Sequence, residues 1–238
     1  MPNLICSGPA IAARSKLRQY PRMWRAVTRV VSLGRPTEGY ELSFRSAMLT
    51  RIRPGDCVWD VGANIGLYSE LFAAAVGISG KVVSFEPSRA CTAMLEERRG
   101  DARSNASWQI VPVALSDKDG EAWLSVGGGG TSPGNHLASR DEASTVQVQT
   151  ARGDSLVTTG YAAPAVLKVD VEGFEGEVLD GMGPVLDNPA LHTICVEVHF
   201  GILNKRGKPY EPSRIVRLLE AHAFDVKWVD RSHFVARR

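Results

Sequence analysis

Short runs rich in β-branched and aromatic residues alternate with helical stretches from residue 57 onward. The runs at 57–61, 81–85 and 109–115 predict three strands. Between them, residues 67–76 and 89–99 predict two helices, the second of which begins after a serine and ends at a glycine. This alternation predicts an α/β fold in which helices cover both faces of a doubly wound parallel sheet.

The alternation is interrupted by an insert at about residues 118–163 and then resumes. Within the insert, residues 121–126 and 145–150 predict a β-hairpin whose tip contains the glycine run 127–130. The resumed pattern predicts strands at 165–171 and 193–198, helices at 175–182 and 213–221, and a closing antiparallel pair at 226–229 and 233–236.

The N-terminal part of the chain shows a different pattern. Residues 16–33 are rich in arginine with apolar residues interspersed, which predicts an amphipathic helix that packs on the domain or mediates a homodimer. We therefore divide the 238 residues into an N-terminal helical extension, 1–45, and one α/β domain, 46–238.

Composition narrows the class of protein. The 28 basic and 26 acidic side chains give a net charge of only +2, which offers no dense basic face for nucleic acid. The four cysteines are dispersed, which argues against a zinc ribbon or a disulfide framework and favours a reduced, cytoplasmic location. No apolar run reaches the roughly 18 residues of a membrane-spanning helix, so we expect no stable membrane insertion.

The turn after the first predicted strand, residues 60–66, has the sequence D-V-G-A-N-I-G. Doubly wound folds bind nucleotide-like ligands at this position. The glycine pattern of dinucleotide-binding proteins is broken at two of its three positions, which argues against NAD. Asp60 would disfavour a pyrophosphate but suits a ligand with an ammonium group, such as S-adenosylmethionine. Asp60, Gly62, Asn64 and Gly66 are therefore candidate cofactor contacts.

Two further acidic residues follow predicted strands. Glu86 comes 24 residues after Gly62 and ends the second strand, where a carboxylate can bind both hydroxyls of a ribose. Asp117 follows the third strand, so we expect it at the adenine edge of the same ligand. Three acidic strand ends together fit an adenosyl ligand.

Four segments of the chain resemble the FkbM-type family of S-adenosylmethionine-dependent methyltransferases. They are V-W-D-V-G-A-N-I-G at 58–66, F-E-P at 85–87, A-L-S-D at 114–117 and L-K-V-D-V-E-G-F-E at 167–175. The resemblance implies a class I, Rossmann-like methyltransferase fold of seven strands with the last one antiparallel. It also implies transfer of a methyl group to a hydroxyl of a sugar, a glycolipid or polysaccharide precursor, or a natural product, with S-adenosylhomocysteine as the product.

Ionisable residues follow two neighbouring predicted strands. Lys168, Asp170 and Glu172 alternate along one strand, and Glu197 and His199 repeat the spacing at the end of the next. Because the carboxyl ends of parallel strands meet at one edge of a sheet, we expect these five side chains to converge there. They are the candidate catalytic residues.

Methyl transfer to an alcohol needs alignment of the acceptor and a base for its proton. His199 is a candidate base by its ordinary pKa, and a satisfied polar residue at a strand end is the alternative. Asp170, Glu172 or Glu197 would serve if burial raised their pKa, with Lys168 orienting or neutralising them. Mg²⁺ bound by Asp170 and Glu197 is a second mechanism, but we favour catalysis without a metal.

Three loop-like segments are candidates for covering the acceptor. They are the glycine-rich insert, the region around Tyr40 and residues 200–210. In the last segment, Lys205, Arg206 and Lys208 could form a lid for an anionic or sugar-bearing acceptor, but a solvated surface loop is the favoured interpretation.

The sequence is also compatible with two other functions. An NAD-dependent oxidoreductase shares the sheet and the ribose acceptor. A non-catalytic module would bind an adenosyl ligand and present its strand-end charges to a partner protein.

Overall fold

A computed structural model describes residues 38–102, 104–126, 135–138 and 145–238. The chain separates into two compact units, Met1–Leu42 and Ser43–Arg238. The amphipathic helix predicted at 16–33 and the glycine tip of the insert at 127–130 lie outside the described residues. The domain boundary at residue 45 therefore stays a prediction.

From residue 57 onward the elements follow the alternation that the sequence predicts, whereas the region around Tyr40, predicted to be loop-like, lies in the helix Glu38–Leu49. The helices are α1 (Glu38–Leu49), α2 (Leu67–Val76), α3 (Arg89–Asp101), α4 (Gly153–Thr158), α5 (Glu175–Asp180), α6 (Phe200–Lys205) and α7 (Glu211–Ala221), with a 3₁₀ helix at Gly183–Asp187. The strands are β1 (Cys57–Val61), β2 (Lys81–Phe85), β3 (Ser107–Val111), β4 (Ala114–Leu115), β5 (Gly120–Ser125), β6 (His136–Ala138), β7 (Thr145–Ala151), β8 (Val166–Val169), β9 (Thr193–Glu197), β10 (Asp225–Trp228) and β11 (His233–Arg237).

Seven of the described strands form the main sheet, in the order β10-β11-β9-β8-β1-β2-β3. Strands β3, β2, β1, β8 and β9 pair in parallel. The last strand, β11, runs antiparallel to both β9 and β10. This confirms the class I methyltransferase fold with an antiparallel last strand. The carboxyl ends of β1, β2, β8 and β9 meet at one edge of the sheet.

The insert forms a second sheet in the order β4-β7-β5-β6. The two strands predicted in the insert pair antiparallel as β5 and β7. They are not a simple hairpin, because β6, which the sequence did not predict, lies between them in the chain and also pairs with β5. The third predicted strand, 109–115, is divided: β3 belongs to the main sheet, and β4 pairs with β7 in the second. Pro112 stands between the two pieces and has no N–H to donate to a ladder, which explains the break.

The core consists of the central strands and the helices that cover them. Val58, Trp59 and Val61 of β1 are buried together with Leu167 and Val169 of β8. Parallel strands buried on both faces need such apolar residues, so polar side chains collect where the strands end. None of the helices that the structure describes has both the length and the apolar character needed to cross a membrane.

Candidate active site

The turn between β1 and α2 has three residues with left-handed backbone. The φ angles are 76° at Gly62, 49° at Asn64 and 82° at Gly66. At Gly62 a Cβ atom would lie only 1.9 Å from the backbone oxygen of Asp170. Glycine is required there both by its φ and by this close approach, which places the turn directly against the end of β8.

Glu86 lies beside this turn and is buried. Its two carboxylate oxygens accept hydrogen bonds from the backbone N–H of Asn64, at 2.9 Å, and of Ser88, at 2.8 Å. Burial raises the pKa of Glu86 to about 7, although both hydrogen bonds oppose the rise. Each oxygen keeps a further lone pair, so the carboxylate can still accept hydroxyl donors such as those of a ribose.

Asp60 is fully buried beneath the turn. Lys168 Nζ lies 2.9 Å from its Oδ1, and the Ser69 hydroxyl donates to its Oδ2 at 2.5 Å. Lys168 also donates to the backbone oxygen of Gly62 at 3.2 Å and lies 3.5 Å from Asp170. Burial alone would lower the pKa of Lys168, but the Asp60 and Asp170 carboxylates outweigh burial and raise this pKa above its usual value. Asp60 thus supports the turn through Lys168, and its own carboxylate is covered.

Asp117 lies in a different environment from the other candidate cofactor residues, beside the second sheet. It is half-buried and follows β4 of the second sheet, whereas the sequence predicted it at the end of a main-sheet strand. Its carboxylate accepts from the Ser116 hydroxyl at 3.2 Å, and its backbone oxygen accepts from Arg152 at 2.7 Å. The described contacts join the turn to Glu86 and Lys168 but do not include Asp117 in that network.

The candidate catalytic residues do converge, with His199 at the centre. His199 Nδ1 lies 2.7 Å from Glu175 Oε1. On the other side of the ring, Nε2 lies 3.3 Å from Glu172, 3.7 Å from Asp170 and 3.9 Å from Glu197. One imidazole therefore stands among four carboxylates.

This crowding changes the protonation of the cluster. Burial alone lowers the pKa of His199, but the hydrogen bond to Glu175 and the other carboxylates raise it to about 9. Burial raises the pKa of Asp170 and of Glu172. Burial acts in the same direction on Glu197, but its contact with His233 outweighs it and lowers the pKa. At neutral pH His199 is therefore mainly an imidazolium.

Two members of this network, Glu175 and His233, have no role predicted from the sequence. Glu175 is fully buried, and its Oε1 also accepts from the backbone N–H of Gly173 at 2.8 Å. His233 Nε2 lies 3.3 Å from Glu197, and Asp230 holds its Nδ1 at 2.9 Å. The D-x-x-H spacing of Asp230 and His233 is the one local signal in the sequence that could have pointed to this second histidine.

The segment 200–210, predicted to be a loop, instead begins with helix α6. Its basic side chains stabilise the neighbouring turn after β8. Arg206 stacks over the ring of Phe174 at 3.5 Å and contacts Glu177 at 2.6 Å. Lys208 contacts the same Glu177 oxygen at 2.8 Å. These cations hold the turn after β8, where Glu172 has a left-handed φ of 52°. Arg206 and Lys208 are thus engaged within the protein, which differs from both the lid and the solvated loop considered for this segment.

Three of the clustered side chains are close enough to share a cation. The ligand atoms of Asp170, Glu197 and His199 lie within 4.8 Å of one another. Asp170 and Glu197 are the metal candidates predicted from the sequence, and the structure adds His199 to them. Carboxylate oxygen and imidazole nitrogen together suit Mg²⁺ less well than Mn²⁺ or Zn²⁺, which accept nitrogen more readily.

Comparisons with known proteins agree with this geometry. The profile of the "Methyltransferase FkbM domain" matches residues 60–226. The hexuronic acid methyltransferase AglP of Haloferax volcanii is 29% identical over 223 residues, covering 91% of this chain and 79% of that protein. The 31-O-demethyl-FK506 methyltransferase FkbM of Streptomyces tacrolimicus is 30% identical over 207 residues, covering 74% of this chain and 75% of that protein.

Among solved structures, cofactor-bound Rv0187 from MTB superposes with a TM-score of 0.52 at 13% identity, covering 99% of this chain and 92% of that one. At this identity the likeness concerns the fold alone. The family profile, in contrast, spans more than half of the sequence and includes both the cofactor turn and the candidate catalytic residues. The chain therefore belongs to the FkbM family of S-adenosylmethionine-dependent methyltransferases.

Proposed function

We propose that the protein is an O-methyltransferase whose acceptor is a hydroxyl of a sugar, a glycolipid or polysaccharide precursor, or a natural product. The observation that carries this proposal is the Glu175–His199 pair, which holds an imidazole beside the cofactor turn. The names of the two relatives, which mention an oxygen of FK506 and a hexuronic acid, support an oxygen acceptor. Membership in the methyltransferase family argues against the NAD-dependent oxidoreductase.

The residues of the turn fit the cofactor. Gly62, Asn64 and Gly66 adopt the left-handed backbone that forms the tight turn, and the Glu86 carboxylate offers hydrogen-bond acceptors for the ribose hydroxyls. Asp60 holds the turn through Lys168. When bound, S-adenosylmethionine supplies a methyl group on a positively charged sulfur. The adenine contact of Asp117 stays a prediction.

In this mechanism His199 Nε2 accepts the proton of the acceptor hydroxyl. Glu175 fixes the ring by its contact with Nδ1, so that Nε2 faces the edge of the sheet. Asp170 and Glu172 stabilise the imidazolium that forms, which makes His199 a stronger base than an isolated histidine. The same carboxylates keep His199 protonated at neutral pH, so the proposal requires turnover to increase at alkaline pH.

The decisive experiment compares His199→Gln with the wild type. Binding of S-adenosylhomocysteine is measured by calorimetry, and methyl transfer is measured with a panel of glycosides and hydroxylated natural products. We expect kcat to fall by about 100-fold or more with cofactor affinity nearly unchanged. His222→Gln is the matched control. His222 directly follows α7 and pairs with Asp187 at the end of the 3₁₀ helix, so it is not a member of the cluster around His199. Wild-type turnover of His199→Gln would remove His199 as the base.

A divalent cation held by Asp170, Glu197 and His199 is a second candidate mechanism, supported by their mutual distances. Such an ion would lower the pKa of the acceptor hydroxyl. Treatment with EDTA followed by addition of Mg²⁺ or Mn²⁺ distinguishes the two mechanisms. Activity that survives EDTA supports the metal-free mechanism, and activity restored only by the ion supports the cation.

The non-catalytic module makes a different prediction. It binds S-adenosylmethionine and S-adenosylhomocysteine but transfers no methyl group to any member of the panel. Turnover of a single acceptor that is lost in His199→Gln would exclude it.

A further inference from the structure

Two aromatic side chains form an exposed pair beside the candidate active site. Phe200 is 39% exposed and Trp228 is 44% exposed. Their ring centroids lie 5.9 Å apart at an angle of 33°. Trp228 also packs edge-on against the buried ring of Phe234 at 5.2 Å. The pair is therefore anchored to the core while part of each ring faces solvent.

The positions of the two residues place this aromatic pair next to the catalytic cluster. Phe200 directly follows His199 and begins α6. Trp228 ends β10 and pairs with Phe234 on β11, whose neighbour His233 contacts Glu197. The aromatic pair thus lies at the same edge of the sheet as the cluster around His199.

This exposure differs from that of other apolar side chains on the surface. Leu67, Ile78 and Tyr210 are also exposed, the last by 81%. Within the described part of the chain, only Phe200 and Trp228 are exposed aromatic side chains whose rings pack against each other. Exposed aromatic rings held in place by the core are typical of ligand-binding surfaces.

The neighbouring carboxylates restrict what can bind there. The side chains of Asp170, Glu172 and Glu197 are between 21% and 32% exposed, so they can accept hydrogen bonds from a ligand. A purely apolar ligand would displace water from the exposed parts of these carboxylates without supplying a donor in its place, and an anionic group pointed at them would be repelled. The surface therefore favours a ligand with one apolar face and a rim of hydroxyl groups.

A pyranose ring has this chemistry. Its C–H face can stack on the electron-rich faces of aromatic rings, and its hydroxyls donate hydrogen bonds along the edge. We propose that the aromatic pair Phe200–Trp228 is the acceptor subsite and binds the apolar face of a pyranose, which directs a hydroxyl to His199. This inference rests on the proposed O-methyltransferase function and narrows its acceptor to a sugar.

The test uses the full chain saturated with S-adenosylhomocysteine. Probes are the methyl β-glycosides of glucose, galactose, rhamnose and glucuronic acid, and cyclohexanol serves as a hydroxyl compound without a sugar ring. Binding is measured by saturation-transfer NMR and titration. We expect at least one glycoside to bind more tightly than cyclohexanol and its Kd to rise about fivefold or more in Trp228→Ala. Phe200→Leu, which keeps an apolar side chain without a ring, should show a similar effect.

Tyr210→Ala is the matched control, because Tyr210 is an exposed aromatic residue that is not part of the pair. Its Kd for the glycoside should equal that of the wild type. The inference is overturned if no glycoside binds, or if Trp228→Ala and Phe200→Leu bind glycosides as the wild type does while their melting temperatures are unchanged. Binding of S-adenosylhomocysteine is recorded for every variant. Its absence in the wild type would contradict the proposed function, whereas the glycoside comparison tests the aromatic pair.

Discussion

Replacing Lys168 with methionine removes the cation that compensates a fully buried carboxylate. Methionine has a similar length and keeps the packing, but among the residues that the structure describes Asp60 then keeps only the Ser69 hydroxyl as a side-chain hydrogen-bond partner. Removing one partner of a buried ion pair costs about 3–5 kcal/mol, because the remaining charge is left uncompensated. For a chain of this size each kcal/mol corresponds to a fall of roughly 2–4 °C in melting temperature. Lys168→Met should therefore lower the melting temperature by about 6–20 °C.

A double-mutant cycle with Asp60→Asn tests the cause. Unfolding of the cofactor-free protein in urea is followed by fluorescence of the buried Trp59 and Trp108 for the wild type, both single variants and the double variant. Asparagine can still accept from Ser69 but carries no charge. The double variant should therefore be destabilised by less than the sum of the single variants, with a coupling energy of about 1–3 kcal/mol.

The outcome that refutes this reasoning is additivity. If the effects of Lys168→Met and Asp60→Asn add within about 0.5 kcal/mol, the two charges do not stabilise each other in solution. Lys168 would then be buried for reasons other than this pair.

Three further predictions concern the turn and the cluster. Gly62→Ala should lower the free energy of unfolding by at least about 1–3 kcal/mol, because the added Cβ would meet the Asp170 backbone. Gly100→Ala is the control. Gly100 lies in a helix, and an added Cβ would have nothing within 4 Å, so the free energy of unfolding should change by less than about 1 kcal/mol. The folded-state pKa of Glu86 is raised from 4.5 to about 7, so its contribution to stability is full below pH 4.5 and is lost as the pH rises through 7. The stability of the wild type relative to Glu86→Gln should thus fall by about 2–3 kcal/mol between pH 5 and pH 8, and urea titrations that show no such change would contradict the shift. Finally, kcat/KM should rise with pH up to about 9, where His199 loses its proton, and a profile that is flat from pH 7 to 10 would argue against His199 as the base.

The sequence predicted the sheet well because burial on both faces leaves a strong apolar signal in each parallel strand. It missed the division of the third strand. Pro112 has no N–H to continue the ladder of the main sheet, so the strand ends before it and Ala114–Leu115 pairs in the second sheet. It also treated 200–210 as a loop, because Gly201 lies within the short helix Phe200–Lys205 and Gly207 and Pro209 follow it closely.

The candidate site was predicted only in part, for a related reason. Lys168, Asp170 and Glu172 could be placed at one edge because the apolar pattern locates the end of β8, although Asp170 and Glu172 lie in the turn after the strand and not on it. The roles of Glu175 and His233 depend on how the tertiary fold brings them to His199 and Glu197 at the end of β9, which no local pattern encodes. The burial of Asp60 likewise follows from its distant partner Lys168.

The four carboxylates around His199 also bear on how the enzyme exchanges its cofactor. S-adenosylmethionine carries a net positive charge, whereas S-adenosylhomocysteine has lost the sulfonium and is neutral overall. We expect four carboxylates around one imidazole to attract the first more strongly than the second, so that the spent molecule leaves more readily. Because this discrimination is electrostatic, it should weaken as the ionic strength rises.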